Sequence, residues 1–436
     1  MESIAQDVSQ VKHITTAPVL KCPAMTSRSV ARVAVLTVLL AGLALAGGVV
    51  QWDRTPIDAV LRGAVERGEI PGVVAMVATP DAVVYRGAFG KRDVSQEVAM
   101  TEDTIFRVFS MTKPITSVAA MQLVEQGKLT LDDPVKKLLP AVGSAKVLEG
   151  FRDGEPQLRP AHADITLRHL LTHTSGYAYA FLSQDLHAYL LKRGLPPSMT
   201  GDDGPLIFDP GAKWWYGSST DTVGRLVEKV SGLSLEEYFR RNIFQPLGMN
   251  DSFFNVPGGD YARIVSLHQR QADGSLREDP RTPPKPVSTF SGGGGLSSTA
   301  GDYVKFMQML LQRGSFRKAR ILRPETVAMM TRNQIGDLQA GRLKVVMPQV
   351  SNEVDFYPGI VHKFGFGFLI NPVAYEGRRS AGSLAWAGAA NTYFWIDPER
   401  KLCAVLMMQI LPFFDKDAVT VLRDFERAVY ATAPRR

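Results

Sequence analysis

Residues 107–116 read RVFSMTKPIT, which places Ser110 three positions before Lys113 in a stretch that turns strongly helical. Side chains three apart on a helix share a face, with Cβ atoms about 5–6 Å apart, so the amine reaches the hydroxyl. A serine hydroxyl is a poor nucleophile unless a neighbouring base takes its proton. Lysine serves as that base only where desolvation or nearby positive charge lowers its pKa. The surroundings meet this condition: Val108, Phe109, Met111, Ile115, Val118, Ala119, Leu123 and Val124 describe a well-buried helix. Its N-terminal end also favours negative charge developing at Ser110. A plainer reading competes. Serine is a good N-cap, Pro114 belongs in a first helical turn, and a chain this long holds roughly one S-x-x-K by chance.

The segments around this motif have a clear order. Ile57, Val60, Leu61, Ala64 and Val65 repeat with helical spacing, between Pro56 and Gly68. GVVAMVAT (72–79) and AVVYRGAFG (82–90) flank Pro80-Asp81 as a hairpin, and NTYFWID (391–397) and LCAVLMMQ (402–409) flank Pro-Glu-Arg-Lys as another. Helical patterns fill the middle, at 166–176, 219–232, 234–248 and 300–314, and DAVTVLRDFERAVY (417–430) closes the chain. The expectation is an α/β (α+β) lobe built from both chain ends, about 52–109 and 296–436, with an all-helical lobe, about 110–295, inserted between them. A cleft between two lobes is the expected site. The glycine run 292–295 reads as a tight turn beside that site, and PRTPPKPVS (280–288) as a surface loop.

Further motifs follow the serine: LRHLLTHTSGY (167–177), KWWYGSSTDTVGRLVEKVSG (213–232) and SLAWAGAANTYFWIDP (383–398). Together with S-x-x-K, in this order and spacing over roughly 55–432, they resemble the serine β-lactamase-like hydrolases. That family includes class C β-lactamases, DD-peptidases and, closest to this chain, family VIII carboxylesterases. The resemblance implies a β-lactamase/transpeptidase-like fold, an antiparallel sheet flanked by helices. It implies Ser110 as nucleophile, Lys113 as the lysine of S-x-x-K, and Tyr216 as the tyrosine of the family's Y-x-N element. Tyr216 and Lys113 both stay open as the base. The Ser110 and Ala389 N–H groups would form the oxyanion hole. Where β-lactamases carry K-T-G, this chain has Trp386-Ala387-Gly388, and Ser218 stands where the family often has asparagine. These four residues would line the substrate. The missing lysine normally grips a carboxylate, so the departures point to an uncharged ester of a short to medium acyl chain, with β-lactams, cephalosporins especially, as a side activity. The alternatives are a class C-type β-lactamase or DD-peptidase, and a non-catalytic binding scaffold of the same fold. Acyl transfer by this constellation needs no cofactor.

Other classes are excluded by what the chain lacks. It has no G-x-S-x-G and no H-G-G-G, which argues against a Ser-His-Asp α/β-hydrolase. Its seven histidines show no H-E-x-x-H spacing, and His169 and His173 read as a structural helix end rather than a metal pair. No G-x-x-x-x-G-K-[ST] accompanies the glycine run. The net charge of +7 is spread without basic runs, so nucleic acid is not an expected partner; a small-molecule ester is.

The amino terminus differs in kind. ARVAVLTVLLAGLALAGGVV (31–50) follows Arg28 and Arg32 and contains an Ala44-Leu45-Ala46 exit, the grammar of an export signal. The run is also long enough to remain as a membrane anchor. Residues 1–46 are therefore expected to be a signal peptide or anchor, placing residues 52–436, a single catalytic domain, in the periplasm or outside the cell. Cleavage would leave Cys403 as the one cysteine, without Cys22, so the mature chain could form no internal disulfide.

Overall fold

Two β-strands with no polar residue, GVVAMVA and LCAVLM, lie side by side at the centre of the sheet, with Val74 opposite Met407. Their composition follows from burial on both faces. Val73, Ala75 and Val77, with Leu402, Ala404 and Leu406, face one core; Val74, Met76 and Ala78, with Cys403, Val405 and Met407, face the other. In the computed structural model, which describes residues 52–197, 204–280 and 282–433, these strands belong to an eight-stranded sheet. Its strands are β1 (Gly72–Ala78), β2 (Val83–Asp93), β3 (Val98–Ala99), β4 (Lys363–Phe364), β5 (Leu369–Ile370), β6 (Leu384–Gly388), β7 (Thr392–Asp397) and β8 (Leu402–Met407). The order is β4-β5-β6-β7-β8-β1-β2-β3, antiparallel throughout, so the N-terminal hairpin joins the C-terminal meander. The proposed export signal and Cys22 lie outside the described residues. Cys403 is buried, and burial pushes its thiol pKa up.

Helices α1 (Thr55–Glu66) and α5 (Lys416–Thr432) cover one face, where Ile57 and Leu61 join Phe425 and Val429, and Phe425 packs on Trp395 at 5.5 Å between ring centroids. Helix α4 (Ala300–Leu311) covers the other, with Tyr303 against Phe394 at 5.1 Å. Helix α2 (Thr112–Glu125) is buried on every side from Thr112 through Leu123, its polar members Lys113, Thr116 and Gln122 each hydrogen-bonded to a carbonyl outside the helix. Helix α3 (Ser219–Ser231) packs against it.

The inserted segment is not all helix. Lys146–Arg152 and Glu155–Pro160 form an antiparallel ribbon, turned by Asp153 and Gly154 at φ 52° and 76°, both left-handed as a two-residue hairpin of the primed type requires. The helix expected over 166–176 stops at Leu171, where the Thr172 hydroxyl donates back to the Arg168 carbonyl at 2.7 Å and His173 adopts φ 57°. The segment 234–248 is helical but widens to a π-turn at Arg240–Phe244. Pro246 has no N–H to give the Asn242 carbonyl, and the Gln122 side chain donates to that oxygen instead, at 3.1 Å.

Candidate active site

Phe106–Arg107 pairs with Ser297–Ser298, and Val108 N–H donates to the Leu296 carbonyl, which fixes the approach to the serine. Phe109 then takes φ 44°, a left-handed conformation rare for a bulky residue and typical of functional turns. That kink leads through the 3-10 turn Phe109–Met111 into α2. Neither turn nor helix has a side-chain N-cap, so the Ser110 hydroxyl is not spent on capping.

Instead it meets two distant side chains. Lys113 Nζ lies 3.2 Å from Ser110 Oγ, and Tyr216 Oη lies 2.6 Å from the same oxygen. Lys113 is 1% exposed; its ammonium also donates to the Gly293 carbonyl at 2.7 Å and to Tyr179 Oη at 3.1 Å. It sits over the rings of Tyr216 and Tyr179, 4.7 and 5.3 Å from their centroids. The three residues expected to converge do so. Tyr179 is a member of the cluster that the sequence reading missed; its signal was a second phenol in YAY (177–179), three residues past the HTSG stretch.

The glycine run 292–295 does turn beside the site. A Cβ on Gly292 would lie 2.8 Å from the Thr220 carbonyl, and one on Gly293 2.4 Å from Asp221 Oδ2, so α3 can approach only bare backbone. Asp221 holds the turn by accepting from Ser291 Oγ at 2.6 Å and Gly293 N–H at 3.0 Å. Thereby the Gly293 carbonyl is aimed at Lys113.

Behind Tyr216 lies His173, fully buried, its ring edge-on to that phenol at 5.0 Å. Burial first, and the Lys113 charge second, push its pKa well below the usual histidine value. It is thus a neutral wall that adds no second positive charge beside Lys113. His169 is structural but sits in the first turn of its helix rather than at the stop, its Nδ1 accepting from the Thr166 N–H in a capping box.

The other wall is β6. A Cβ on Gly388 would lie 2.2 Å from the Val108 carbonyl, so the strand end abuts the serine turn backbone to backbone. This brings Ala389 and Ser110 to one cavity of about 270 Å³. Trp386, Ala387 and Gly388 line it as expected, along with Phe356, Phe413 and Leu343. Trp386 presents its ring to Tyr216 at 5.0 Å. Ser218 does not join them. It is 1% exposed, turned inward at the start of α3, and the substrate contact expected of it is not made by the cavity wall.

The arrangement of serine, lysine and phenol under a β-strand edge defines a serine acyl-transfer site of the β-lactamase fold. A β-lactamase family model matches residues 57–427, and the chain belongs to that family of serine hydrolases and acyltransferases. It is 34% identical over 403 residues to monacolin J acid methylbutanoyltransferase of Aspergillus terreus, spanning 86% of this chain and 95% of that one. Lovastatin esterase of Penicillium rubens is 30% identical over 406 residues, 86% of this chain and 98% of the esterase. Among solved structures, unliganded simvastatin synthase from Aspergillus terreus superposes with a TM-score of 0.76 at 32% identity, over 88% of this chain and 99% of the synthase.

Proposed function

We propose that this protein cleaves carboxylic esters of short to medium acyl chains through an acyl-enzyme on Ser110, passing the acyl group to water or to an alcohol. The observation that carries the reading is the 2.6 Å approach of Tyr216 Oη and the 3.2 Å approach of Lys113 Nζ to one Ser110 Oγ, at the end of an apolar cavity. In this mechanism Ser110 Oγ attacks the ester carbonyl while the Tyr216–Lys113 pair accepts its proton. The Ser110 and Ala389 N–H groups hold the oxyanion, donors worth a few kcal/mol in such sites. The pair then protonates the departing alkoxide, and the reverse sequence with water or a second alcohol releases the acyl group. Likeness to a methylbutanoyltransferase supports an alcohol as acceptor, and likeness to an esterase supports water.

Trp386, where β-lactamases have lysine, supports esters over β-lactams as main substrates. A charge-assisted hydrogen bond contributes about 1.5–3 kcal/mol, so its absence costs roughly ten- to hundredfold in kcat/KM. The expected result is faster turnover of 4-nitrophenyl butyrate than of a chromogenic cephalosporin by at least that margin; faster cephalosporin hydrolysis overturns the ester reading.

The β6 edge yields a second expectation. Gly388→Ala places a methyl against the Val108 carbonyl and must push the strand end away from the serine turn. A displacement of about 1 Å costs on the order of 10²-fold in such sites. Steady-state kcat/KM for the butyrate ester should fall by that much while a fluorophosphonate still labels Ser110. Wild-type turnover would show that the edge plays no part in catalysis.

A further inference from the structure

Resting on the reading of Ser110 as an acyl carrier, we propose that Asp221 and Thr116 are positioning residues, a clamp on one peptide unit that sets Lys113 for proton transfer. An ammonium has three N–H donors, and Lys113 has three acceptors: Ser110 Oγ at 3.2 Å, Tyr179 Oη at 3.1 Å and the Gly293 carbonyl at 2.7 Å. No donor is spare and the side chain is buried, so the direction of the Gly293 carbonyl, its shortest contact, decides where the amine stands relative to Ser110 Oγ. Glycine leaves its own backbone freest to turn, and groups outside the turn must therefore fix that direction.

Two helices supply those groups. Thr116, three residues past Lys113 on α2, donates its hydroxyl to the Gly292 carbonyl at 2.6 Å. Asp221, five residues past Tyr216 in the first turn of α3, accepts from the Gly293 N–H at 3.0 Å. The Gly292 carbonyl and the Gly293 N–H are the two polar atoms of a single planar peptide unit. Both are held, and the Gly293 carbonyl that follows is held with them. The clearances agree: a Cβ on Gly292 would lie 3.1 Å from Thr116 Cγ2 and 3.1 Å from Gly224 Cα, so the turn is seated between α2 and α3. Asp221 does its part with one oxygen. Oδ1 takes both the Gly293 N–H and Ser291 Oγ, while Oδ2 is buried with no partner among the described residues. The start of α3 thus acts on Ser110 twice, directly through Tyr216 and indirectly through Asp221, Gly293 and Lys113.

Steady-state rates on 4-nitrophenyl butyrate test the clamp. Asp221→Ala and Thr116→Val should each lower kcat roughly ten- to hundredfold and leave KM unchanged, the cost of a small misplacement at the reacting atoms. Asp221→Asn and Thr116→Ser should restore most of the loss, because the amide keeps the acceptor and serine keeps the donor. In a Lys113→Ala background, Asp221→Ala should cost nothing more, since residues that act through one group are non-additive. An equal fold-loss in both backgrounds overturns the inference, as does wild-type kcat in Asp221→Ala or Thr116→Val, or a loss carried by KM. Should Asp221→Ala fail to fold, Thr116→Val, which keeps the side-chain shape, carries the same comparisons. Failure of the underlying reading looks different: wild type itself turns over no ester and no acyl adduct forms on Ser110.

Discussion

Ser110→Ala should lower kcat/KM for 4-nitrophenyl butyrate by roughly 10⁴-fold or more and remove the mass adduct left by a fluorophosphonate probe. The reason is geometric: Ser110 Oγ is the atom on which Lys113 and Tyr216 converge. The substitution leaves Lys113 bonded to the Gly293 carbonyl and Tyr179, so the fold has little reason to change. Lys113→Ala should cost roughly 10²–10⁴-fold, the range of a general acid–base group, with added local destabilisation because a buried carbonyl and a phenol lose their donor. The double variant should be no slower than Ser110→Ala alone, since residues acting as one unit are strongly non-additive. Intact-mass labelling and steady-state rates on the three variants check this. An adduct persisting in Ser110→Ala, or additive losses in the double variant, would sink the assignment.

How much of this could be read from the chain depends on where identity resides. β1 and β8 were legible because burial on both faces admits only apolar residues at every position, and α2 because Ile115, Val118, Ala119 and Leu123 repeat with helical spacing after Pro114. Ser110 and Lys113 were legible because one helical turn fixes their relation. Tyr216 lies over a hundred residues further on, and its role was found through resemblance, since no local pattern encodes a contact at that range. Tyr179 escaped because a phenol in YAY is as consistent with packing as with chemistry. One ligand of Lys113 is the Gly293 carbonyl, and a backbone oxygen leaves no mark on residue type. The Asp153-Gly154 turn did carry a hairpin signal, but its flanks contain Glu149, Arg152, Glu155 and Gln157, which hide the alternation that marks a strand. Ser218 shows the opposite error. Alignment with a motif gave its place in the chain, and the start of α3 turned it away from the cavity.

The second large effect concerns stability. Arg379, on the loop before β6, pairs with Glu426 of α5, Nε to Oε1 at 2.8 Å, and both side chains are buried. Burial opposes the arginine's charge, but Glu426 and the neighbouring phenols outweigh it and raise its pKa. Its guanidinium also lies over Trp395 of β7 at 4.9 Å, and Tyr357 donates to the other Glu426 oxygen. The pair therefore ties the last helix to the sheet that carries Gly388. Desolvating two charges offsets most of their attraction, so the intact pair adds little net stability, whereas removing one partner strands the other. Arg379→Met should destabilise the protein by about 3–5 kcal/mol, and Arg379→Met/Glu426→Leu should recover most of that loss. Urea unfolding midpoints of the three proteins measure it. If the double variant is as unstable as the single, the cost lies in lost packing against Trp395 and Tyr357 rather than in an uncompensated carboxylate.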